Sequence, residues 1–173
     1  MQVLTTRPVP MALFALASIT PLVLLGLGIA LGGFWVLAGL GYMAILAAVL
    51  DQIAVMFAGD APEGVEFPAA DGLLVALALG AIALMPLSVW AIAGESGLPF
   101  WGRLAVFLGA GLWLGQVANP TAHELIHRRN RALFRLGALV YCILLFGHHT
   151  SAHRLVHHRH AASAEDPNSA RSG

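Results

Sequence analysis

His123-Glu124-Leu125-Ile126-His127 sets two imidazoles four residues apart, on one helical face and one turn apart, within reach of a single metal ion. It is also the H-E-x-x-H signature of zinc proteases, in which Glu124 acts as general base. A structural role for the acid competes, because Thr121-x-x-Glu124 reads as a capping box that satisfies orphan amides at a helix start. A second group follows: Gly147-His148-His149-Thr150-Ser151-Ala152-His153-Arg154-Leu155-Val156-His157-His158-Arg159-His160. On a helix His149, His153 and His157 line one face, His160 lies close to it, and His158 is turned about a quarter of the way round. The alternative is a solvated basic helix that binds anionic headgroups through Arg154 and Arg159.

All eight histidines lie between His123 and His160, and the first 122 residues contain none. Neutral imidazole is the commonest protein ligand for transition metals, so this density points to metal. A zinc protease uses one ion with three protein ligands and an open position. Glu165 or Asp166 would supply the third, which leaves the His-x-x-x-His-His group without a task. A binuclear site needs many more ligands, and the chain offers them. Imidazole ligation without thiolate suits iron as well as zinc. The single Cys142 excludes an internal disulfide and any cysteine-ligated iron–sulfur or rubredoxin-type centre within the chain, so redox chemistry here takes its electrons from another protein.

These residues need a scaffold, and its composition is that of an integral membrane protein. The chain is 58% hydrophobic and 10% charged, with a mean hydropathy of +0.79, against roughly half and a quarter in soluble domains. Net charge is zero and lysine is absent, which gives no support to a nucleic-acid partner. The apolar start, roughly Met11 to Gly33, is too long for a cleaved signal peptide and lacks an A-x-A end. It reads as a retained first span.

A span takes about 20 apolar residues. The expected spans are Pro10 to Leu31, Phe34 to Phe57, Gly72 to Gly94 and Phe100 to Ala118. Gly32-Gly33 makes the first turn. Ala58 to Asp71 forms a loop with four acids and no base, and Glu95 to Pro99 forms a short loop. Asn119-Pro120 is expected to break the fourth span. The fold class is therefore an all-α integral membrane protein, about four transmembrane helices plus an interfacial or re-entrant helical segment. Residues 1–118 form the transmembrane region and 119–173 the cytoplasmic-side histidine-box region. Seven of the nine arginines follow residue 127, which sets the histidine side in the cytoplasm, and four spans bring the N-terminus with Arg7 to the same side. The apolar segment Ala132 to Gly147 is short for a span. If both histidine groups serve one centre, it lies in or dips into the interface rather than crossing. Gly28-x-x-x-Gly32 and Gly111-x-x-x-Gly115 are read as intramolecular packing patterns, and Asp51 as solvated near the membrane interface.

The pair H-E-x-x-H and H-x-x-x-H-H, about 25 residues apart after hydrophobic spans, resembles the alkane 1-monooxygenases of the membrane fatty acid desaturase/hydroxylase superfamily. The resemblance is specific from Asn119 onward: Asn119 to Arg129, Phe146-Gly147-His148, His153 to His158, and the tail Glu165 to Arg171. It implies a non-haem di-iron centre on the cytoplasmic face of the bacterial inner membrane. Such a centre activates O₂ and hydroxylates the terminal carbon of an alkane, with electrons from rubredoxin and rubredoxin reductase. By motif position His123 and His127 resemble the first-box ligands, and His153, His157 and His158 the second-box ligands. Glu124 is the first-box acid, and the spans form the alkane channel within the membrane lipid. A membrane zinc endopeptidase, a fatty acid desaturase-like enzyme and a non-catalytic membrane protein remain alternatives. The chain departs from the family in having Ala152 where better-known members carry Glu, and in lacking a further downstream histidine box. The expectation is therefore an N-terminal part of such an enzyme, inactive alone.

Overall fold

The computed structural model describes residues 9–57, 70–161 and 163, and every described element is helical. The acidic loop before Ala70, Glu165, Asp166 and the tail that extends the resemblance lie outside the described residues, as does the side chain of Asp51.

Helices α1 (Val9–Leu31) and α2 (Phe34–Phe57) form a hairpin. The expected turn is made by Gly32 and Gly33, both at positive φ (66° and 56°), a region closed to most side chains. The hairpin closes tightly because a Cβ on Gly28 would stand 2.9 Å from the Val36 Cα, so Gly28 packs intramolecularly as its spacing implied. Gly111 and Gly115 have no atom near their Cβ positions, so that second pattern does not pack within the described residues.

Helix α3 (Ala70–Ala93) and α4 (Phe100–Trp113) complete a bundle whose core holds Leu25, Met43, Leu77, Leu84, Val106 and Trp113. Pro21 cannot donate to the carbonyl four residues back, which loosens that turn of α1. The buried Trp113 indole donates to the neighbouring Ser18 carbonyl at 3.0 Å and ties α4 to it. Arg103 closes the far end of α3: its guanidinium donates to the carbonyls of Ile92 (2.6 Å) and Leu98 (2.9 Å). The outer faces carry exposed Phe14, Leu16, Leu37, Leu79, Val89 and Phe107, an apolar surface far larger than a soluble bundle shows.

Among the described residues, two helices are long and apolar enough to cross a membrane: Phe14–Leu31 within α1, and α3. In α2 the described apolar stretch is the shorter Phe34–Ile45, and α4 reaches only 14 residues before its geometry changes. Four spans are thus an expectation that two helices meet.

Asn119-Pro120 does not break the fourth helix. From α4 the chain passes through a π turn (Leu114–Ala118) into α5 (Asn119–His127), with helical dihedrals at Ala118 and Asn119. The Asn119 amide donates five residues back, to the Leu114 carbonyl, rather than four. This wider turn directly before Pro120 makes room for the ring, which in a regular helix would clash with the preceding turn. Thr121 is therefore mid-helix. Its hydroxyl donates to the Val117 carbonyl at 2.7 Å, so the capping-box reading of Thr121 and Glu124 fails.

Arg128 is extended and ends α5, and the Asn130 side chain starts α6 (Arg131–Ile143) by accepting from the Ala132 amide at 2.8 Å. Helix α6 folds back onto α5, with Gly137 against Ala122, Leu125 and Ile126. At 13 residues it is about 20 Å long, too short for a hydrocarbon core of about 30 Å. Its end is a Schellman motif: Leu145 donates to Cys142 and Phe146 to Tyr141, and the Tyr141 and Phe146 rings meet at 6.0 Å. Leu145 takes the left-handed position (φ 58°) that glycine usually fills. The chain then returns through α7 (His149–Ala152), a second π turn (His153–His157) and α8 (His158–His160).

Candidate metal centre

The α5–α6 hairpin brings the second histidine group back beside the first. One donor nitrogen each from His123, His127 and His153 lies within 4.8 Å of the others. His123 and His127 face the same way because they are one turn apart on α5, with ring centroids 4.7 Å apart. The intervening Leu125 and Ile126 are buried in the core and fix the rotation of that helix. His153 is the buried member at 9% exposure, and the Phe134 ring beneath the Arg154 guanidinium (5.0 Å) holds its helix against α6.

Three imidazole nitrogens converge tightly. His153 Nε2 lies 2.7 Å from His123 Nε2 and 2.9 Å from His158 Nε2. One ring nitrogen offers either one hydrogen or one lone pair in its plane, so His153 cannot make both contacts as good hydrogen bonds. A shared cation satisfies all three. With imidazole–metal bonds of about 2.1 Å, adjacent ligands of an octahedral ion stand about 3 Å apart, close to the spacing found. The donor set therefore fits a metal ion.

Around this trio the rings form a continuous array. His149 stacks on His153 (4.9 Å, 24°) and His153 on His157 (5.1 Å, 23°), the one-face column expected from their spacing. Phe146 stacks on the outer side of His149, and Tyr141 meets it edge-on. His158 contacts both His127 (4.8 Å) and His153 (4.5 Å), a position its quarter-turn offset on a regular helix does not give. Glu124 is 58% exposed, and its carboxylate lies 3.9 Å from His123 Nδ1, within ionic reach but beyond a hydrogen bond. His148 packs on Phe146, and His160 ends α8.

The array favours neutral rings, the form that binds metal. Burial, then the neighbouring His123, His158, His149 and His127, push His153 down to about 4. Burial first, then His123 and His158, lowers His127, partly opposed by Glu124. His149 is lowered mainly by burial as well. In the metal-free chain the unfolded state thus takes up a proton on residue 153 below about pH 6.5 that the folded state refuses until about pH 4. Stability is full above that window and falls as pH drops through it. Thermal melts of metal-free protein in detergent at pH 7.5 and 5.0 should show the loss, and His153→Gln should lessen it, with His127 and His149 supplying the rest. An equal loss in the variant would assign the effect elsewhere.

A cleft of about 440 Å³ adjoins the array, lined by Asp71, His127, Arg128, Arg129, Asn130 and Leu133. Arg128 Nε pairs with Asp71 at 3.0 Å, which places the start of α3 beside the end of α5. The resemblance assigns no role to His149, although its spacing to His153 places both on one helical face. Nothing local pointed to Asp71, Phe134 or Tyr141, since each reaches the site through helix packing, whereas Phe146 lies three residues before His149.

The alkane 1-monooxygenase 2 of Pseudomonas aeruginosa is 28% identical to this chain over 134 residues, 74% of the chain and 36% of that protein. The chain thus spans about a third of the length of the curated relative it matches. This supports a distant relationship to a membrane hydroxylase. No family model and no solved structure matches.

Proposed function

We propose that this chain provides the histidine-ligated di-iron centre of a membrane monooxygenase that hydroxylates the terminal carbon of alkanes. The observation that carries this reading is the convergence of His123, His127 and His153 from two separate motifs, with the His149, His157 and His158 rings packed around them. His123, His127, His153, His157 and His158 hold the iron. When bound, the iron pair supplies O₂ activation for inserting one oxygen atom into an unactivated C–H bond. Glu124 faces the Nδ1 side of His123 and favours the tautomer that keeps the Nε2 lone pair on the centre. The apolar helices, four spans in this reading, lie in the inner membrane and guide an alkane, which offers no polar group to grip. Their histidine end, beyond which seven of the nine arginines lie, faces the cytoplasm, where rubredoxin, supplied by its reductase, delivers electrons.

Purified in detergent after expression with iron and zinc both supplied, the chain should carry iron in preference to zinc by elemental mass spectrometry. With reduced rubredoxin and O₂ it should convert octane to 1-octanol. One zinc per chain, with a peptide-cleaving activity that Glu124→Ala removes while zinc stays, indicates a membrane zinc endopeptidase instead. An unsaturated acyl product in place of the alcohol indicates a desaturase.

A further inference from the structure

The second histidine group sits on a π turn, and its register decides which histidine meets the first group. The His158 amide donates to the His153 carbonyl, five residues back, whereas the His153 amide donates to the His149 carbonyl, four back. One extra residue is thus accommodated between His153 and His158, the mark of a π bulge. In a regular helix at 3.6 residues per turn, residue i+5 lies about 140° around the axis from residue i. His158 would then point away from His153 and only His157 would stand over it. In the wide turn both members of the doublet flank His153. His157 continues the His149–His153 column, and His158 turns toward α5, with its Nε2 2.9 Å from His153 Nε2 and its ring 4.8 Å from His127.

We infer that this π turn is a positioning device that divides the doublet: His158 closes the set begun by His123, His127 and His153, while His157 serves the opposite side of His153 with His149. The inference rests on the metal reading above and specifies how this chain's own backbone serves it. The residues that fill the extra step do little else. Leu155 is 67% exposed and Val156 is 37% exposed, and the Arg154–Phe134 contact lies ahead of both.

Removing one residue from a π turn leaves a regular turn of nearly the same rise. Deleting Leu155 places the two histidines three and four residues after His153, where a regular helix still sets both beside it. Inserting one alanine between Val156 and His157 puts His157 five residues after His153, the place His158 holds in the wide turn, and carries His158 away.

The experiment titrates Co²⁺ into the detergent-purified chain and follows its ligand-field absorption, with circular dichroism to confirm helix content. His158→Ala should weaken Co²⁺ binding by about tenfold or more, while His157→Ala changes the first binding event less than about threefold. Deletion of Leu155 should retain wild-type affinity, and the alanine insertion, which leaves a histidine in the fifth place, should behave like His157→Ala. Deletion of Val156 serves as the equivalent variant if deletion of Leu155 does not fold. Equal losses in His157→Ala and His158→Ala, or loss of binding in a folded deletion variant, overturn the register inference and leave the metal site standing. Failure of the wild-type chain to bind Co²⁺ overturns the metal reading and the inference with it.

Discussion

His153→Ala should remove metal from the chain while leaving its helices folded. No other side chain is shared so widely: His153 Nε2 meets His123 and His158, and its ring stacks between His149 and His157. Losing groups that only orient a ligand costs about 10- to 100-fold in affinity, so losing this ligand should cost at least the upper end of that range. The fold should tolerate the change because the imidazole makes its contacts with other imidazoles, and burying it uncharged among them holds its pKa near 4. Metal content by elemental mass spectrometry and a thermal melt decide the matter together, with His148→Ala, on the exposed side of Phe146, as the control. Wild-type metal content in a folded His153→Ala variant would remove His153 from the centre.

Gly137→Val should damage stability and metal binding at once, from a residue that bears no ligand. A Cβ at this position would lie 2.7 Å from the Leu125 Cβ, 2.8 Å from the Ala122 carbonyl oxygen and 3.1 Å from the Ile126 Cγ2. The carbonyl belongs to the backbone of α5 and cannot swing aside, so α6 itself must move outward. Overpacking of this kind costs about 1–3 kcal/mol. Because α6 carries the chain from the first histidine pair to the second, an outward shift separates His123 from His153 as well. Gly137→Ala should show the same two losses in smaller degree. The readouts are the melting temperature in detergent and Co²⁺ affinity, and an unchanged pair of values for Gly137→Val would show that the helices do not approach as closely as described.

Much of this was legible without coordinates because it depends on local rules. Continuous apolar runs gave the positions of α1, α2 and α3, the Gly32-Gly33 turn followed from glycine's access to positive φ, and the i, i+4 column of His149, His153 and His157 followed from helical period. The misreadings also share a cause. Asn119-Pro120 reads locally as a break and Thr121-x-x-Glu124 as a helix start, since local patterns cannot reveal a preceding π turn that absorbs the proline. Helical period alone turns His158 a quarter of the way round from His157, and the second π turn brings its Nε2 to 2.9 Å from that of His153.

The amino-acid sequence by itself determined that the chain is helical and strongly apolar, and that its candidate metal ligands are histidines clustered at one end. Those properties follow from residue type and short-range spacing, which act within a few turns of helix. Only the tertiary structure decided which histidines meet. Joining His123 to His153 across 30 residues requires Gly137 to admit α6 against α5, the Schellman turn at Leu145 to send the chain back, and a π turn to set His158 beside His153. Each of these is an ångström-scale matter of packing and register, and no spacing along the chain encodes it.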